Sequence, residues 1–221
     1  MIKFSSQYLP VAHSLIKAAE DEVNLFNQYF YFWAAFNDIY STISYADGNS
    51  NKIKIDKTSN LPKLRTNCNV SIPVVERVSE IGQIHLALDK FNFGLKDWLI
   101  AHDNTKFFLN RTPWWKGQEI AYGYQNYKLN GVIKVNDTPS IEYPVWSPID
   151  IPAYEVYMQS RQESFLQNFL TKQIVELLYT IRCNLAHGDK DPDDASDEEV
   201  IENALPLLKM IVLSFTNNDY F

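Results

Sequence analysis

The side chains best suited to chemistry stand together near the end of the chain, in Tyr179-Thr180-Ile181-Arg182-Cys183-Asn184-Leu185-Ala186-His187-Gly188-Asp189-Lys190. A guanidinium, a carboxamide and an imidazole close an otherwise apolar stretch. The guanidinium is permanently charged and holds anionic oxygens through a planar fork of donors. The imidazole exchanges a proton near neutral pH. Burying such groups costs about 1–3 kcal/mol for each one left without a partner. Arg182 and His187 lie about 140° apart on an ideal helix, so they do not share one stripe. They converge if His187 sits at a fraying end, or if a second copy of the chain supplies the missing partner.

The elements that must position these groups are mostly helical. Phe165, Leu166, Phe169, Leu170, Ile174, Leu177, Leu178, Ile181 and Leu185 form a broad apolar face, and Gly188 falls where a left-handed C-cap is wanted. A polar DKDPDDA connector follows. Ser196 and Glu199 then make a capping box for a last helix, whose inward residues are Val200, Ile201, Ala204, Leu205, Leu208, Ile211, Val212 and Phe215. Pro206 predicts a kink or restart near 203–205. Upstream, Phe26, Tyr29, Phe30, Trp33, Asn37, Tyr40 and Ser44 recur at steps of three and four, predicting a first helix over about 21–44. The polar stretch around Asp47-Gly48 reads as a loop, with room for one strand at 52–56. Pro73 at N1 predicts a second helix over about 74–92, with His85 as a buried structural residue on its stripe, continued over 95–102 after a break at Gly94.

Residues 111–154 lose the helical period. They hold five prolines, Trp114-Trp115 and several tyrosines, and Asn130-Gly131 predicts a type I′ hairpin within 127–135. The expectation is an all-α fold: one domain over 1–221, a helical bundle carrying an irregular, aromatic-rich loop and β-hairpin insertion over 111–154. Those aromatics either pack the insertion or stack bases.

Composition sets the outer limits. A 46% hydrophobic fraction and 31 aromatic residues in 221 are incompatible with general disorder. The longest apolar run, Tyr29 to Phe36, is eight residues, far short of the roughly 20 a membrane-spanning helix needs. The first residues lack a charged-then-apolar leader pattern, so a cytoplasmic location is expected. Cys68 and Cys183 are expected to be reduced thiols, and neither they nor the four scattered histidines show metal-ligand spacing. GxGxxG, GxxxxGK[ST] and GxSxG are absent, which removes support for dinucleotide, P-loop and elbow-type hydrolase chemistry. Of the net charge of −7, eight acids and one base fall within 189–202, leaving 19 of each sign elsewhere. No general basic footprint is present, although a local basic pocket is compatible with this balance.

Arg182-x4-His187 at the end of a long apolar helix, with Trp33-Ala34-Ala35-Phe36-Asn37-Asp38-Ile39-Tyr40 upstream, resembles the HEPN superfamily and its Apea-like members. The resemblance covers the first and the last two predicted helices, about half of the chain. It implies a HEPN-like bundle and metal-independent RNA cleavage by a homodimer whose two motifs meet, in a toxin or antiviral defence setting, with no cofactor. His187 would move the proton of a ribose 2′-OH or of the leaving 5′-oxygen, and Arg182 would hold the phosphate. Asn184 and Asn37 would support them, Lys190 and Tyr179 would contact RNA, and a neutralising protein partner would be compatible. Cys183 departs from the polar residue that members commonly place directly after the arginine. The residues also admit plainer roles: His187 as a cap on a terminal carbonyl, Arg182 paired with Asp193 or Asp194, and Asn37 as a satisfied core amide. The rival to the enzyme is a non-catalytic RNA-binding, nucleotide-binding or partner-regulated module.

Overall fold

The structure, a computed structural model, describes residues 9–46, 53–54, 74–75, 79–109, 114–115, 118–119, 149–161, 163–188 and 191–216. It is all-α. Eight helices make up the described body: α1 (Pro10–Asp21), α2 (Leu25–Ala46), α3 (Glu80–Leu88), α4 (Phe93–Ala101), α5 (Asp103–Leu109), α6 (Ile151–Ser160), α7 (Ser164–Ala186) and α8 (Ala195–Thr216). Two short antiparallel pairs accompany them, Ile53–Lys54 with Val74–Val75 and Trp114–Trp115 with Gln118–Glu119. The hairpin expected at 127–135 lies outside the described residues, as do Cys68 and Lys190.

α2 is the central helix, packed against α1, α3, α7 and α8. Phe32, Ala35, Phe36, Ile39 and Ile43 are buried as well as Phe26, Tyr29, Trp33 and Tyr40, so much more than one stripe is covered. That is why its middle, Tyr29 to Phe36, is an unbroken apolar run. Phe30, assigned to the stripe from spacing, is instead exposed. α1 precedes α2 and was not expected. The signal was nonetheless there: Pro10 stands at its first turn, and Ala12, Ile16 and Ala19 recur at steps of four and three along its buried face. Asp38 of α2 accepts a hydrogen bond from the Ala12 backbone N–H at 3.0 Å. A carboxylate thereby satisfies one free donor of the α1 first turn and complements its dipole.

Several expected boundaries move. α3 begins at Glu80 rather than 74: Ser79 is its N-cap, with Oγ accepting from Gly82 N–H, and Val74–Val75 are extended. α4 contains Gly94, because Asn92 caps it through Leu95 N–H; the break falls at 89–92. α8 is capped by Asp194, which accepts from the backbone of Ser196 and Asp197, rather than by Ser196. It also runs unbroken through Pro206. All eight predicted inward residues of α8 are buried. In α7 Phe165 is 76% exposed, because it lies in the first turn and stacks on Phe169 instead of on the core.

Candidate functional site

α7 carries the Arg182–His187 segment and is fixed to α2 one turn before it. Tyr29, fully buried, donates its hydroxyl to the Leu178 carbonyl at 2.7 Å. Tyr179 then packs its ring 6.0 Å from that of Trp33, and the contact continues edge-on along α2 through Phe36 to Tyr40. This aromatic row makes the wall behind the site. The Trp33 indole N–H is buried and has no hydrogen-bond partner among the described residues.

The row ends on a polar triad. Tyr40 donates its hydroxyl to Glu80 Oε1 at 2.7 Å, and Glu80 Oε2 lies 3.8 Å from Arg182 Nη1. The Arg182 and Glu80 side chains are 29% and 30% exposed. Arg182 Nη1 also approaches Cys183 Sγ at 3.9 Å. Burial pushes against the guanidinium charge, but the neighbouring Cys183 and Glu80 outweigh it and hold Arg182 above its ordinary value. Burial first, and then the bond to Glu80, drives Tyr40 far above the ordinary phenol range, so it remains a donor. Burial also raises Tyr179, helped by its bond to Cys183.

The plainer role expected of Arg182 pairs it with the acidic connector; its partner is Glu80, on a helix 102 positions earlier. Neither Glu80 nor the Tyr40 hydroxyl was picked out as part of the site. The available signal was an acid in the first turn of a short capped helix, facing a tyrosine at the end of an aromatic stripe. A second bridge joins the same two helices. His85 Nε2 lies 3.1 Å from Glu176 Oε1, with Lys172 Nζ 3.8 Å from the same oxygen. His85 is therefore a partly exposed hydrogen-bond partner of Glu176, not a buried structural residue.

His187 is the C-cap of α7 and is exposed. Its backbone N–H donates to the Cys183 carbonyl at 3.0 Å. Gly188 follows at φ +72°, the left-handed turn expected of it. Among the described residues, the polar contacts of the Arg182 guanidinium are Glu80 and Cys183; the imidazole is not one of them. One side chain turns to α3 and the other to solvent. Asn184 is half-buried. Asn37 meets Ser41, whose Oγ stands 3.2 Å from both Asn37 Oδ1 and Gln83 Oε1. It thus belongs to the α2–α3 seam beside Glu80, rather than touching Arg182. Cys183 is a free thiol.

No group of three or more metal-ligating side chains occurs among the described residues. No helix among them is long and apolar enough to cross a membrane. No family model matches the chain, and neither does any curated protein or solved structure.

Proposed function

We propose that the chain is a HEPN-type endoribonuclease, with a HEPN-like bundle and an insertion over 111–154, acting as a cytoplasmic homodimer in a toxin or defence setting. One observation carries this reading: a half-exposed guanidinium, tethered through Glu80 to a buried tyrosine, precedes by five residues an exposed imidazole at the end of the same helix. In this reading His187 takes the proton of a ribose 2′-OH, whose oxygen attacks the adjacent phosphorus. The 5′-oxygen leaves with a proton given by an imidazolium, that of His187 in one copy or the other, and a 2′,3′-cyclic phosphate remains. Arg182 balances the charge that accumulates on the non-bridging oxygens. Pairing of two copies brings each imidazole to a guanidinium.

The test is incubation of purified protein with mixed RNA in excess EDTA. Cleavage to cyclic-phosphate ends, lost in Arg182→Ala and in His187→Ala and never seen on DNA, supports the reading. Cleavage that survives both substitutions refutes it.

A second reading rests on Glu80. Its carboxylate already engages the guanidinium that a scissile phosphate would need. This favours a module that binds RNA or a nucleotide, or docks a neutralising or regulatory protein, without cutting. Such a module retards RNA in a shift assay and leaves it intact over hours.

A further inference from the structure

α4 exposes a second stripe, away from its buried Leu95, Leu99 and Ile100. Gly94, Asp97, Trp98 and Ala101 recur at steps of three, one and three, and so share a face. At the sharp corner between α4 and α5, His102 and Asp103 complete the lining of a shallow hollow of about 440 Å³ that is open to solvent, with the Asp103 side chain 91% exposed on its rim. Gly94 and Ala101 contribute almost no side-chain bulk, and Trp98 and His102 form an aromatic pair with ring centroids 4.2 Å apart.

The polar groups are specific in sign. Asp97 Oδ1 accepts a hydrogen bond from the Tyr157 hydroxyl at 3.0 Å, and that hydroxyl accepts one from Gln167 Nε2 at 3.0 Å. Tyr157 is wholly buried, so a fixed relay holds a solvent-reachable carboxylate in place. His102 Nδ1 accepts from Asn104 N–H at 3.2 Å. Burial lowers its pKa, so the imidazole is neutral at neutral pH and does not repel a cation. The lining thus offers two carboxylates, an indole and an uncharged imidazole, with no Lys or Arg. Two basic side chains reach these carboxylates from outside the lining. Arg161 Nη1 lies 3.6 Å from Asp97 Oδ2, and Lys106 Nζ lies 2.6 Å from Asp103 Oδ1. Both are about half exposed, at 50% and 51%, and can swing into solvent at little cost.

We propose that this corner binds a small organic cation bearing an alkylammonium or guanidinium group. The charged head sits against Trp98 and bonds Asp97, and Arg161 and Lys106 give way to it. The site is separate from the Arg182 region: Gln167, which supports it, precedes Arg182 by 15 residues of α7, about 22 Å along the axis. The proposal does not depend on RNA cleavage.

The experiment is calorimetric titration of the full chain with agmatine, putrescine, an end-blocked arginine-containing peptide, and uncharged 1,4-butanediol. The expected result is saturable binding of at least one cation with Kd of about 1 mM or tighter, and none of the diol. Tighter binding of the peptide marks a protein-borne group as the natural source; tighter agmatine or putrescine marks a free metabolite. Asp97→Asn keeps an acceptor for Tyr157 and should weaken binding about tenfold. Trp98→Ala should do the same, and Trp98→Phe should retain most of the affinity, because phenyl is a weaker but competent face. Lys106→Ala should tighten binding by removing the competing ammonium, a gain that a merely structural residue would not produce. Failure of all three cations to saturate, equal binding of the diol, or wild-type affinity in both Asp97→Asn and Trp98→Ala overturns the proposal.

Discussion

Replacing Glu80 tests what holds the guanidinium in place, and the expected size follows from its two contacts. The Arg182–Glu80 pair spans 3.8 Å with both side chains about 30% exposed, so the pair itself contributes no more than about 1 kcal/mol. The Tyr40 hydroxyl is different. Tyr40 is 1% exposed and gives its proton to Glu80 at 2.7 Å. Glu80→Ala leaves that hydroxyl buried without its acceptor, at a cost of about 1–3 kcal/mol. Loss of an acid from the first turn of α3 adds a few tenths of a kcal/mol. Glu80→Ala should therefore destabilise the chain by about 2–3 kcal/mol, a substantial part of an ordinary domain's stability.

Glu80→Gln keeps an oxygen for Tyr40 and removes only the charge, so it should cost about 1 kcal/mol or less. Tyr40→Phe should destabilise the wild-type by about 1 kcal/mol. In the Glu80→Ala background the same change should be neutral or stabilising, since it removes an orphaned polar group. Urea unfolding of the wild type and the four variants, read from midpoints at constant slope, measures the coupling. Repetition in high salt should shrink the Glu80→Gln effect and leave the difference between Gln and Ala in place. If Glu80→Gln is as damaging as Glu80→Ala, or if Tyr40→Phe costs the same in both backgrounds, the hydroxyl is not what anchors Glu80.

Other perturbations probe the same frame. Gly188→Ala should cost about 1 kcal/mol, purely from the left-handed backbone at φ +72°, because an added Cβ meets nothing within 4 Å; Gly188→Asn should cost less, and thermal unfolding checks both. Tyr29→Phe removes the buried bond to the Leu178 carbonyl and should lower stability by about 1 kcal/mol. Amide exchange should then rise in the turn of α7 that leads to Arg182. For His102, burial depresses the folded-state pKa, so below its ordinary value of about 6.5 the unfolded chain binds more protons. The associated stability is whole above that pH and declines as pH falls from there toward the folded value. His102→Gln should flatten this decline in urea midpoints measured across the acid range.

How far the sequence was legible depended on whether the signal was local. α7 and α8 could be read because each carries one dominant apolar face, and Gly188 marks the end of α7 by a backbone need that only a few residues meet. α1 was legible by the same rules, with Pro10 at its first turn and Ala12, Ile16 and Ala19 on one face, yet no helix was expected there. The start of α3 was misplaced because Pro73 offered a plausible first turn, whereas the chain uses Ser79 as the cap and leaves two β-branched valines extended. α2 shows the reverse problem. Burial around most of its surface erases the period that would say which side faces what, and Phe30 was placed inward for that reason. Asn37 was placed on the apolar stripe as a core amide or a support for the site; it is half-buried and meets Ser41 at the α2–α3 seam. The pairing of Arg182 with Glu80 could not be read at all. Periodicity tells which face of a helix is covered and carries no information about which distant side chain covers it.

That pairing changes what the arginine can contribute. A guanidinium has five N–H donors, and the approach of Glu80 Oε2 is to Nη1, at a distance beyond an ordinary hydrogen bond. Donors therefore remain for a phosphate, but the charge behind them is largely balanced. The rest of the chain adds no excess of basic residues to draw in a polyanion. On the proposed reading, affinity for RNA at this place would come from short-range geometry, not long-range attraction. A carboxylate tied to a buried tyrosine is well suited to fix the direction of the arginine's free donors. If Arg182 holds a phosphate as proposed, Glu80 acts first on how that phosphate is held, and only second on how strongly it is attracted.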